Sequence, residues 1–281
     1  MAADTCKEID EIRRYTFENI DAGQLYYEDQ IPLLYLQGAL GGTLNTSEIK
    51  FVIIDEAQDY TPLQYEIFHQ LFQHANITML GDLDQSIAPF MNLGSYANIS
   101  HIFSQDSTLM LNLTKSYRST VEITMFARKL LSKAVSAEAV ERHGAEPIVV
   151  GFPDEEAIRG RILHDIKAYS EKGFQSIGVI TRTRKEADEA YQALKGEVPL
   201  KAILSGEDGY VPSAVILPAY LAKGLEFDVV ILYNAGGGNY HHEDERLLFY
   251  TACTRALHVL CVYYSGQITP LLAEHLSCIC E

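Results

Sequence analysis

The sequence predicts an α/β protein. Short apolar runs of β type alternate with helical patterns, several of those runs are apolar at consecutive positions as central parallel strands must be, and the helices between them carry cap signatures. Residues 1–50 read as helical packing elements, with an apolar face in "IPLLYLQGAL" and a stop at Gly41-Gly42. The expected strands are "FVIID" (51–55), "ITMLG" (77–81), "LMLNL" (109–113), "PIVVG" (147–151), "SIGVI" (176–180), "SAVIL" (213–217), "FDVVILY" (227–233) and "HVLCVYY" (258–264). Thr61-Pro62 with Gln64 reads as an N-cap, N1 proline and capping-box partner, and Ser119 with Glu122 repeats that arrangement before "ITMFARKLL". The least regular stretch is 92–107, and a boundary at its end divides the chain into domains 1–108 and 109–281.

Composition narrows the class. The chain has 281 residues, 47% of them apolar and 21% charged, enough for two ordinary domains with real cores. "MAADTCKEIDEIRRY" lacks the apolar centre of a signal peptide, and no run approaches the ~18 apolar residues of a membrane span, so a cytoplasmic protein with no membrane partner is expected. Cys6, Cys253, Cys261, Cys278 and Cys280 are odd in number and lack a second cluster at zinc spacing, which points to reduced thiols. The net charge is −16; residues 1–108 hold 4 Lys+Arg against 16 Asp+Glu, and residues 109–281 hold 18 against 22. General electrostatic gripping of phosphate backbones needs the opposite balance, so any nucleic-acid contact must be local or be supplied by something outside this chain.

"FVIIDEAQDY" (51–60) puts Asp55 and Glu56 directly after an apolar strand, where ligands bind in open α/β sheets. A first carboxylate there can associate with Mg²⁺ and the next can accept a proton from an attacking water; a solvated loop start is the plain alternative. "ITMLGDLDQS" ends a second strand on Gly81, Asp82 and Gln85, the last suited to sensing a γ-phosphate or serving as a simple turn residue. Tyr117-Arg118 precede a capped helix, and Arg255 lies near the end of another. Arginine forks onto phosphate oxygens, and tyrosine can stack on a base; a surface ion pair and a half-buried ring are the alternatives. Lys223, Gly224 and Glu226 stand just before a long strand, where glycine permits close backbone approach and Glu226 can hydrogen-bond a ribose hydroxyl, or where the chain simply makes a tight turn.

In order, these segments resemble the later motifs of superfamily 1 helicases of the UvrD/Rep type. "DEAQD" looks like motif II, "GDLDQS" motif III, "SYRST" motif IV, "AKGLEFD" motif V and "YTACTRA" motif VI, together covering about residues 50–264. The resemblance implies RecA-like parallel sheets flanked by helices, of the P-loop NTPase type, with one partial and one complete domain. It implies ATP and Mg²⁺, with Asp55 as the metal-associated carboxylate, Glu56 as catalytic base, Gln85 as γ-phosphate sensor and Tyr117 stacking on adenine. Arg118 and Arg255 would be arginine fingers, and Gly224 and Glu226 would contact nucleotide. The forms "PAYLAKGLEFD" and "GDLDQSI" look closest to the HelD-like branch, whose partner is bacterial RNA polymerase.

Three departures qualify the resemblance. No G-x-x-x-x-G-K-[ST] occurs, so the chain looks like the carboxyl-terminal portion of a longer helicase and is expected to be inactive without its amino-terminal partner segment. "APFMNLG" offers only Phe90 to single-stranded DNA where relatives carry several aromatic and arginine residues, and about thirty residues run from "ITRTRKEADEA" to "SAVIL", too few for a large inserted domain. The expectation is part of an ATP-dependent motor that moves on nucleic acid, single-stranded DNA foremost, or remodels an RNA polymerase complex. The alternative is a non-catalytic interaction module derived from a helicase.

Overall fold

The computed structural model describes residues 2–42, 45–87, 93–103, 108–113, 115–131, 138–139, 142–206, 208–209 and 213–276; of residues 2–8, 28, 115–116, 138–139 and 274–276 it describes the backbone alone. They form two compact units, residues 1–83 with 90–109, and residues 84–89 with 110–281.

The first unit contains α1 (Ala2–Asp21), α2 (Tyr27–Ala39), β1 (Phe51–Ile54), α3 (Pro62–Leu71) and β2 (Asn76–Met79). Strands β1 and β2 pair in parallel, Phe51 beside Asn76 and Ile54 beside Met79. The N-terminal signal of α3 is realised as expected: the Thr61 hydroxyl accepts from the Gln64 amide at 3.4 Å, and Gln64 Oε1 accepts from the Thr61 amide at 2.8 Å. One face of the strand pair, Val52, Ile54, Ile77 and Met79, packs with Tyr65, Leu93, Ile99 and Ile102. The opposite face is open, with Phe51 and Ile53 exposed by 75% and 71%.

Within residues 1–50 the expected helices are α1 and α2, whereas residues 22–26, 40–42 and 45–50 are turns or irregular; α2 ends before Gly41, which takes a left-handed φ of 88°. The expected apolar face of "IPLLYLQGAL" is not buried: Leu33, Leu34, Tyr35, Leu36 and Leu40 are exposed, although α2 contacts α3. Four consecutive apolar residues, Leu33 to Leu36, are spread around a helix with 3.6 residues per turn, so no single face can cover them all.

The second unit is built on a parallel six-stranded sheet in the order β5 (Ile148–Phe152), β10 (Ala256–Ser265), β9 (Phe227–Leu232), β6 (Ile177–Thr181), β8 (Ala214–Pro218) and β7 (Leu200–Ala202). Every residue of β6 and β8 is buried, which is why "SIGVI" and "SAVIL" read as continuous apolar runs. Helices α4 (Val121–Arg128), α7 (Arg246–Cys253) and α8 (Pro270–Leu276) contribute to a core with Val215, Leu217, Val230, Leu232 and Val262. Helices α5 (Glu155–Glu171) and α6 (Arg184–Leu194) contribute to another with Val179, Ile216, Val229, Ile231 and Tyr263. Alternate residues of β9 thus enter different cores, so helices cover both faces of the sheet. A two-residue parallel pair, β3 (Lys115–Ser116) with β4 (Glu138–Ala139), stands apart from it.

Two local expectations are corrected. "LMLNL" forms no strand: residues 109–113 pair with no described strand, and Leu109, Met110, Leu111 and Leu113 are exposed. An apolar run becomes a strand only where a neighbour completes its hydrogen-bond ladder. The N-cap of α4 is Thr120, accepting from the Ile123 amide, rather than Ser119, whose hydroxyl donates to the Ala256 carbonyl at 2.7 Å. Glu122 likewise turns away from a capping box toward His143 and the Gly144 amide.

Candidate nucleotide site

In the first unit, the chain leaves β1 at Ile54 and immediately presents Asp55 and Glu56. Glu56 adopts left-handed backbone angles, φ 50° and ψ 42°, which cost a residue with a side chain roughly 1–2 kcal/mol. The turn is held by neighbouring bonds. Asp55 Oδ1 accepts from the Glu56 amide at 2.9 Å, the Ala57 amide donates to Leu80 O at 2.8 Å, and the Leu80 amide donates to Ile54 O at 2.8 Å. Two strand ends are thereby locked side by side with the two carboxylates beyond them.

Gln58, which the sequence did not single out, ties these ends together. It is fully buried; its Nε2 donates to Glu56 Oε2 at 2.7 Å while its Oε1 accepts from the Asp82 amide at 3.0 Å. Gly81 is required by this arrangement, since a Cβ there would lie 2.5 Å from Gln58 Oε1 and 2.9 Å from the Tyr96 hydroxyl. Gln58 was hidden in "DEAQDY" because its amide acts on a segment 24 residues away, a relation that no local pattern records.

In the second unit, the candidate residues named from the sequence collect at the amino ends of β9 and β10. Glu226 immediately precedes β9, Arg255 immediately precedes β10, and the Phe227 amide donates to Arg255 O at 3.0 Å. Ser119 adds the segment carrying Arg118 through its bond to Ala256 O. The Arg118 Nε and Glu226 Oε1 form an ion pair at 2.5 Å, with the Arg118 side chain 40% exposed. Gln85 falls in this unit as well: its Oε1 accepts from Arg255 Nη2, and its carbonyl accepts from Lys223 Nζ at 3.1 Å.

Arg255 is only 1% exposed, and its Nε also donates to Thr251 O at 3.1 Å while Nη2 reaches Thr254 Oγ1 at 3.2 Å. Tyr117 is 71% exposed, so its ring is no part of the core. Gly224 has φ 78° and open space around its Cβ position, so glycine serves here for its backbone freedom in the turn into β9. The structure therefore gathers Gln85, Arg118, Glu226 and Arg255, with Lys223 joining them, while Asp55 and Glu56 belong to the first unit. Phe90 lies outside the described residues.

Asp55 suits a hard cation by chemistry. Its carboxylate is exposed, and its one hydrogen bond among the described residues, to the Glu56 amide, uses a single oxygen. No helix among the described residues is long and apolar enough to cross a membrane. Cys253 and Cys261 are free thiols within the cores, and burial pushes both thiols up. Cys278 and Cys280 lie outside the described residues.

A parallel sheet covered by helices on both faces, with ionisable residues gathered at strand ends, defines an α/β protein of RecA-like architecture. Comparison with known proteins makes this specific. Residues 42–107 match the UvrD/REP helicase N-terminal domain, and residues 213–263 match the UvrD-like helicase C-terminal domain. A crystal structure described as "the C-terminal domain of a possible DNA helicase" from Lactobacillus plantarum WCFS1 is 36% identical, with a TM-score of 0.50 over 56% of this chain and 92% of that one. The chain is thus similar to UvrD/REP helicases in two segments that together make up less than half of its length. Among curated relatives, the Bacillus subtilis protein named "Putative ATP-dependent DNA helicase YjcD" is 30% identical over 167 residues, and the Saccharomyces cerevisiae mitochondrial ATP-dependent DNA helicase HMI1 is 25% identical over 167 residues. These alignments cover 56% and 53% of this chain but 22% and 24% of the relatives, so the chain spans about a quarter or less of their length.

Proposed function

We propose that this chain supplies nucleotide-contacting residues of an ATP-dependent DNA helicase motor. The observation that carries the reading is the convergence in the second unit: Gln85, Arg118, Glu226 and Arg255, spread over 170 positions, meet through Arg118–Glu226, Gln85–Arg255 and the Phe227–Arg255 backbone bond. The motif resemblance and the family matches support the same assignment.

The residues divide the work by their chemistry. Arg118 is half exposed and always charged, so it is the cation suited to reach phosphate oxygens as charge develops on them. Its present partner, Glu226, becomes available to a ribose hydroxyl once Arg118 turns to phosphate. Gln85 holds Arg255 by a neutral amide, an arrangement in which a phosphate oxygen can compete for the same guanidinium. Tyr117 offers an exposed ring for stacking on a base. Glu56, strained at a strand end, is the general base for water, with Gln58 orienting its carboxylate. Asp55 would hold Mg²⁺, whose contribution is to neutralise phosphate charge.

The test is direct titration of the chain with MgATP. Binding weakened at least about fivefold by Arg118→Ala and by Glu226→Ala is the expected result, within the range of charge-assisted contacts. A chain that ignores millimolar MgATP overturns the reading. Turnover is expected below the ~1 per second of ordinary enzymes, because no phosphate-cradling G-x-x-x-x-G-K-[ST] occurs in the sequence. The relatives named above are called DNA helicases, which favours DNA over an RNA polymerase complex as the object moved.

A second reading, a protein-interaction module, is favoured by one observation. The first unit leaves Ile12, Phe17, Leu34, Phe51 and Ile53 exposed, apolar side chains that a protein partner could cover. Nucleotide binding sensitive to Arg118 separates the two readings.

A further inference from the structure

We infer that Arg142 is a positioning residue for Arg118. This inference rests on the nucleotide reading above and adds a residue that lies in none of the helicase-like motifs. The Arg142 Nη2 donates to the Arg118 carbonyl at 2.6 Å and to the Leu257 carbonyl at 2.5 Å, so one side chain clasps the backbone of the proposed finger and the start of strand β10 together. Its Nε is buried without an acceptor among the described residues, and the bonds it makes to them run through Nη2.

The rest of segment 142–144 braces the same loop. The Arg142 carbonyl accepts from the Val121 amide at 3.0 Å, and Glu122 takes the Gly144 amide at 2.8 Å and His143 Nδ1 at 2.7 Å. Gly144 lies so close to Thr120 that a Cβ there would stand 2.6 Å from Thr120 Cγ2. Residues 118–122 are therefore held by segment 142–144 as well as by the Ser119 bond to Ala256 O. The Arg118 peptide is fixed while its side chain stays 40% exposed, which is the combination a pre-aimed cation needs. Without Arg142 the Arg118 carbonyl loses its donor, the peptide can rotate, and the guanidinium samples positions away from a terminal phosphate.

The test compares fluorescent ATP and ADP analogues, with Mg²⁺, on the intact chain. A finger on the terminal phosphate makes the ratio of triphosphate to diphosphate affinity the diagnostic readout; general loss of structure lowers both affinities together. Arg142→Met is expected to lower that ratio at least about threefold with diphosphate affinity unchanged, and Arg142→Lys, which retains donors, to restore part of it. In an Arg118→Ala background, Arg142→Met should change the ratio no further. If Arg118→Ala lowers the ratio but Arg142→Met leaves it unchanged, or if the two effects simply add, the positioning role is overturned and the nucleotide reading stands. If Arg118→Ala leaves the ratio unchanged, the nucleotide reading of Arg118 falls and the inference falls with it.

Discussion

At the scale of single residues, glycine offers a paired test of conformational strain. Gly224 needs its φ of 78°, so Gly224→Ala should lower stability by roughly 1–2 kcal/mol. Gly160 sits inside α5 with nothing within 4 Å of its Cβ position, so Gly160→Ala should raise stability by roughly 0.5–1 kcal/mol. Denaturant midpoints at constant m-value check both.

Glu122 supplies a pH-dependent term. The His143 ring bonded to it, with the Gly144 amide, pushes its carboxyl down to about 2 from 4.5. A lowered folded value means that the stabilisation is present above the unfolded value and disappears as pH falls from about 4.5 through about 2. Glu122→Gln should therefore be less stable than the parent at pH 6, with the gap in melting temperature closing toward pH 2. A gap independent of pH would contradict this assignment.

Some residue roles were legible in the sequence and others were not. Asp55 and Glu56 were visible because an apolar run ends on them. Gln58 and Arg142 were invisible because their importance lies in bonds to Asp82, Arg118 and Leu257, up to 115 residues away.

At the scale of elements, local chemistry decides well where nothing distant competes. The Thr61 cap of α3 formed as its sequence indicates, and Thr61→Ala should cost about 1 kcal/mol of stability. The cap of α4 shifted by one residue because the Ser119 hydroxyl found a carbonyl on β10. Helix α5 shows a tertiary tie of the same kind. Its buried Asp165 takes Arg161 Nε at 3.0 and 2.9 Å, His164 Nδ1 at 3.1 Å, and the Tyr263 hydroxyl of β10. Burial pushes that hydroxyl up, keeping it a donor. Tyr263→Phe should cost roughly 1–3 kcal/mol in chemical denaturation, because the buried carboxylate loses a donor that water cannot replace.

At the scale of the whole molecule, the two units differ in how much of their strand surface is covered. The six-stranded sheet has cores on both faces, whereas the strand pair β1 and β2 is covered on one. Opening a small, half-covered sheet exposes less apolar area, so it requires less free energy. Hydrogen exchange should find the amides of β6 and β9 protected far longer than those of β1 and β2; equal protection would contradict this difference.

The sequence alone determined the alternation of strands and helices, seven of its eight expected strands, the cap of α3 and the polar residues at strand ends. These follow from side-chain periodicity and short-range hydrogen bonding, both written in adjacent residues. Tertiary structure decided that "LMLNL" is no strand, that Thr120 and not Ser119 caps α4, and that Arg118 meets Glu226 while Arg255 meets Gln85. Each of those outcomes depends on a partner distant in sequence, and a hydrogen bond or ion pair exists only when the fold brings both of its members within reach.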